Sequence, residues 1–99
     1  MKLKNKPPTE KEITKEIRKF LTFKHIFHWK AWAGLGSIKG VPDIIGCYKG
    51  QMIAIEVKGQ NGKVSPHQEV FMDNLRGSGA ICFVARSVQD VIDNLKEYW

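Results

Sequence analysis

Asp43, Glu56 and Lys58 are the residues whose types and spacing could do chemistry. They lie in two short runs of apolar, β-branched residues, Val41 to Tyr48 and Gln51 to Lys58, joined at Lys49-Gly50. A Lys-Gly pair between such runs predicts a hairpin with a two-residue loop. Tyr48 then faces Gln51, and counting back along both strands sets Asp43 opposite Glu56. Opposed residues in an antiparallel pair share a face, with Cβ atoms about 4.5 to 5.5 Å apart. Lys58, two residues further on, joins them on that face. Two carboxylates so placed repel each other and call for a cation between them. Oxygen donors select Mg²⁺, Mn²⁺ or Ca²⁺. A slip of one residue in the turn would send Glu56 and Lys58 to the other face.

Each residue alone has an ordinary explanation. Asp43 after Pro42 is an acceptable strand entry, and Glu-x-Lys near a strand end is common on solvated edges. Their convergence among Ile45, Cys47, Met52 and Ala54 is harder to explain that way, because unpaired charge is costly among apolar neighbours. Pro42-Asp43 followed by Glu56-Val57-Lys58 resembles the signature of the PD-(D/E)XK nuclease superfamily. Lys39-Gly40-Val41-Pro42-Asp43 and Ser65-Pro66-His67-Gln68 are similar to its VRR-NUC branch, the virus-type replication-repair nuclease domain of stand-alone phage or bacterial type.

That resemblance implies a divalent-metal-dependent DNA endonuclease that hydrolyses phosphodiester bonds. Asp43 and Glu56 would hold Mg²⁺ or Mn²⁺, with the Val57 backbone carbonyl as a further ligand. Glu10, at the start of the first helix, would bind through water or complete a second metal position. Lys58 would orient or acidify the attacking water and stabilise negative charge in the transition state. Gln68 would hydrogen-bond near the substrate phosphate or a bound water, and Lys39, Gly40 and Lys63 would touch nucleic acid. Branched DNA such as a Holliday junction is the expected substrate, in replication, repair or recombination. A homodimer would place two sites on two strands. The alternatives are a catalytically silent basic nucleic-acid-binding module of the same fold, and a structural protein that associates through its Trp-rich strand.

The composition agrees with a nucleic-acid partner without requiring one. The 99 residues suit one domain, and 42% hydrophobic with 26% charged residues is ordinary globular usage. A net charge of +6 favours approach to a polyanion. No apolar run is long enough to span a bilayer and no signal-type segment follows Met1, so the expected location is the cytoplasm of a bacterial or phage-infected host cell. Cys47 and Cys82 lack metal-ligand spacing and read as reduced, buried small residues.

The elements that must position these residues follow in chain order. Residues 1–8 form a basic leader ending in Pro7-Pro8, and 9–99 form the single domain. Thr9 and Glu12 make a capping box opening a helix to about Phe23, with Ile13, Ile17, Phe20 and Leu21 as its apolar stripe. Glu10 lies near the centre of that stripe, which a functional carboxylate or the helix dipole would explain equally well. Residues 25–33 read as a first strand, with His25 and His28 exposed on it. Gly34 to Gly40 is a glycine-bearing loop leading into Pro42-Asp43. Ser65 caps a helix with Pro66 at its first position, ending near Gly77. Gln68 either completes a second capping box with Ser65 or belongs to the site. Ala80 to Ala85 is a buried strand parallel to the Glu56 strand, and Ser87 with Asp90 caps a last helix. The fold class is α/β, a restriction-endonuclease-like core in the order α-β-β-β-α-β-α, with helices on both faces of a mixed four-stranded sheet.

Overall fold

Among the described residues, each of the three α-helices opens where a side chain takes over an orphaned backbone N–H. In the computed structural model, which describes residues 6–32 and 38–99, helix α1 spans Glu10–Phe23. Its capping box is complete: Glu12 N donates to Thr9 Oγ1 at 3.1 Å, and Thr9 N donates to Glu12 Oε1 at 2.8 Å. Helix α2, Pro66–Gly77, opens the same way on Ser65 and Gln68. Helix α3, Val88–Leu95, starts on Ser87 and is followed by a 3₁₀ turn over Lys96–Tyr98. Asp90 contributes at that start by accepting from Arg86 N at 2.8 Å.

The strands β1 (Phe27–Lys30), β2 (Ile44–Tyr48), β3 (Gln51–Val57) and β4 (Ile81–Ala85) form one mixed sheet in the order β1-β2-β3-β4. β1 to β3 are antiparallel neighbours, and β4 runs parallel to β3. The hairpin turns at Lys49-Gly50 as expected, with Tyr48 paired to Gln51 and Ile44 to Ile55. Lys49 and Gly50 have φ of 51° and 82°, the doubly left-handed pattern of a type I′ turn.

Two apolar layers hold the helices to the sheet. α1 and α3 cover one face, where Ile17, Leu21, Ile44, Ile55, Val91 and Leu95 are buried. α2 covers part of the other, with Met72 packed against Ala54 and Cys82. Full burial of an Ile or Leu side chain is worth about 1.5 to 3 kcal/mol, so both layers fix the sheet to its helices.

Three expectations need correction. The first strand is shorter than 25–33: β1 has four residues, and exposed His25 sits before it in a turn at φ 60°. His28 is half-buried rather than exposed, with Nδ1 2.9 Å from Ile26 O. Cys82 is buried but Cys47 is exposed, because α2 leaves the β1–β2 part of its face uncovered. Most of the basic leader and residues 33–37 of the glycine loop lie outside the described residues.

Candidate active site

One step beyond the Ile44–Ile55 pair, the register brings Asp43 across from Glu56 at the end of the hairpin away from its turn. Pro42 is fully buried and Ala31 N donates to Asp43 O at 2.8 Å, so the backbone at 43 is held from both sides. The Asp43 carboxylate is held too: Oδ2 accepts from Val57 N at 2.7 Å. Glu56 is only 2% exposed, at the last turn of the pleat in β3.

Glu56 Oε2 and Oε1 have different surroundings. Oε2 accepts from Gln68 Nε2 at 2.9 Å and lies 3.5 Å from Lys58 Nζ. Oε1 is enclosed and, among the described residues, meets no hydrogen-bond donor. Such an acceptor costs about 1 to 3 kcal/mol unless something meets it. Burial and the neighbouring Asp43 charge push the Glu56 carboxyl up to about 7, and Lys58 opposes this only in part. Without a cation, the pair therefore holds a proton close to neutral pH.

Both readings of Gln68 hold together. Its Oε1 accepts from Ser65 N at 2.8 Å and its backbone N donates to Ser65 Oγ at 3.2 Å, which completes the capping box. Its Nε2 is then aimed at Glu56. The helix cap thus fixes the rotamer that presents the amide to the site.

The remaining sequence candidates are arranged around this centre. Glu10 is exposed, with Oε2 3.4 Å from Gly59 N. It borders the same groove as Asp43, but among the described residues no three His, Cys, Asp or Glu side chains converge as a cation cage. Gly40 has φ 89°, and a Cβ there would stand 2.4 Å from His67 O, so this glycine is needed to let the loop lie against the start of α2. Lys39 and Lys63 are exposed in the loops on either side. Arg86 was missed. Its Nη1 donates to Gly59 O at 2.6 Å, bracing the loop that follows Lys58. Val57 and Ala85 are partners in the parallel pair, which puts the next residues, Lys58 and Arg86, side by side; the sequence implies the parallel pairing but not this register.

A mixed four-stranded sheet flanked by helices in this order is the restriction-endonuclease-like nuclease core. The model of the VRR-NUC domain matches residues 3–89, and the chain belongs to that family of nucleases. Two solved VRR-NUC domain structures are similar to it. One, 27% identical, has a TM-score of 0.74 over 93% of this chain and 99% of the other; the second, 22% identical, has 0.73 over 94% and 89%. Hjc of Archaeoglobus fulgidus, a Holliday junction resolvase, shares the fold at 21% identity and a TM-score of 0.62, over 78% of this chain and 67% of its own. A comparison with curated proteins gives no match.

Proposed function

We propose that this protein is a divalent-metal-dependent DNA endonuclease whose centre is Asp43, Glu56 and Lys58. The observation that carries this reading is the buried Glu56 Oε1, which meets no donor among the described residues and lies in a carboxyl beside that of Asp43. A hard cation would satisfy that oxygen and remove the repulsion that raises the Glu56 pKa. The residues present fit such an ion. Asp43 and Glu56 would hold it, with the Val57 carbonyl as a further donor and Glu10 acting through water. When bound, Mg²⁺ or Mn²⁺ supplies charge neutralisation on the phosphate and activation of water.

The chain's own groups do the rest. Gln68 keeps Glu56 oriented and, with Oε2 already accepting, leaves Oε1 for the ion. Lys58, its side chain 12% exposed, is positioned to align the attacking water and stabilise negative charge on the phosphoryl oxygens. Lys39 and Lys63 flank the centre as phosphate contacts, and the close approach that Gly40 allows keeps the first of these loops beside α2.

Branched DNA is the substrate we favour, supported by the shared fold with a Holliday junction resolvase. A homodimer is supported by an uncovered apolar strip across β1 to β3. Phe27, Trp29 and Met52 are 72%, 48% and 38% exposed, and the Phe27 and Trp29 rings lie 5.9 Å apart. Assays on branched, duplex and single-stranded DNA with Mg²⁺ or Mn²⁺ test the activity. Folded Asp43→Ala, Glu56→Ala and Lys58→Ala variants should each lose at least about a hundredfold in rate. Wild-type rates in any of them would overturn the assignment, and DNA binding without cleavage by the parent protein would favour the silent binding module.

A further inference from the structure

A groove of about 1080 Å³ runs between α1 and β1 and ends at Glu10 and Asp43. Five cationic side chains line it: Lys11, Lys15, Arg18, Lys19 and Lys30. We propose that this groove is the track for one DNA sugar-phosphate backbone leading away from the cleavage centre, gripped by these five residues. The inference rests on the nuclease reading and names a substrate-binding surface for it.

The spacing accounts for the surface. Lys11, Lys15 and Arg18 stand at i, i+4 and i+7 on α1, so they fall on one side of the helix. Lys30, on β1, faces them across the groove. Of the other acids on the same helix, Glu12 is held in the capping box, and Glu16, which does not line the groove, pairs with Lys19 at 3.8 Å. Among the described residues, Lys11, Lys15, Arg18 and Lys30 have no acidic partner within 4 Å, and the enclosed Arg18 Nε has no acceptor. Of the five groove cations only Lys19 is paired, at 3.8 Å and with both side chains exposed. The two acids that do line the groove, Glu10 and Asp43, are at the end where the cation would sit.

From Glu10 to Thr22 the groove follows about 18 Å of helix, long enough for several consecutive phosphates of one strand. The competing surface is the cluster at the other end of the hairpin. There Lys24 lies 4.4 Å from the Trp99 ring and Lys49 5.1 Å from the Tyr48 ring, so these cations already have aromatic partners.

The test compares two variants that remove the same charge. One is Lys11→Ala/Lys15→Ala/Lys30→Ala, all exposed positions that leave the packed stem of Arg18 alone. The other is Lys24→Ala/Lys49→Asn/Lys96→Ala at the far end. Binding of a fluorescein-labelled DNA duplex is followed by anisotropy over a salt series in EDTA, and cleavage is assayed separately with Mg²⁺. Each lost phosphate contact lowers the slope of log K against log salt by about 0.9. The groove variant should lose about 2 to 3 in slope and bind at least tenfold more weakly, with the far-end variant close to wild type. Equal effects of both variants, or no effect of the groove variant, in a protein that still cleaves DNA would overturn the track and leave the nuclease reading intact. A wild-type protein that cleaves but shows no salt-dependent binding also overturns the track, whereas absence of cleavage with metal overturns the nuclease reading itself.

Discussion

Glu56 is the residue on which charge, burial and chemistry meet. Its carboxyl is raised to about 7, above the ordinary 4.5, so the metal-free fold favours the protonated form. The resulting stabilisation is complete below pH about 4.5 and is lost as pH rises toward 7. Thermal melts in EDTA should therefore show wild-type stability falling over that window relative to Glu56→Gln, which carries no titrating group there. Excess Mg²⁺ should restore the wild-type protein at pH 8 and leave Glu56→Gln unchanged. Cation affinity should fall roughly tenfold per pH unit well below pH 7, because a proton competes for the same carboxylate. A melting difference that does not vary with pH would contradict the raised pKa. At this scale much of the centre was legible, since a two-residue turn fixes which side chains oppose one another. Arg86 is not, because its neighbours depend on the register of the parallel β3–β4 pair, which no local pattern announces.

At the scale of elements, the start of α2 does two jobs that substitutions can separate. Ser65→Ala removes one half of the capping box and should cost about 1 kcal/mol in urea unfolding with cleavage within a few-fold of wild type. Gln68→Ala should cost a similar amount but lower cleavage at least tenfold, since it also removes the hydrogen bond to Glu56. Equal activity in the two variants would reduce Gln68 to a cap. The hairpin tip is independent of the centre: Lys49→Asn suits the left-handed turn better and should stabilise by about 0.5 to 1 kcal/mol without changing cleavage. Helix boundaries were readable because caps are local chemistry. The first strand was overextended because alternating aromatics mark a strand without marking its ends, and the left-handed turn at His25 lies within the predicted span.

For the whole molecule, the sheet faces are covered unequally. α1 and α3 share one face, but α2 alone, about 10 Å across, cannot cover four strands spaced about 4.8 Å apart. Alternating apolar residues announced helices on both sides and could not announce this shortfall, which is why Cys47 and the Phe27–Trp29 strip lie open. If that strip is the dimer surface, Phe27→Glu/Met52→Glu should weaken self-association at least a hundredfold in sedimentation, with the monomer still folded. An unchanged sedimentation profile of a dimeric protein would assign the interface elsewhere.

The central claim is that Asp43 and Glu56 grip one hard cation, and anomalous scattering from crystals soaked in Mn²⁺ tests it directly. The expected result is a peak between the two carboxylates, about 2.0 to 2.4 Å from an oxygen of each. Saturating Mn²⁺ with no peak there, in crystals whose Asp43 and Glu56 remain face to face, would contradict it.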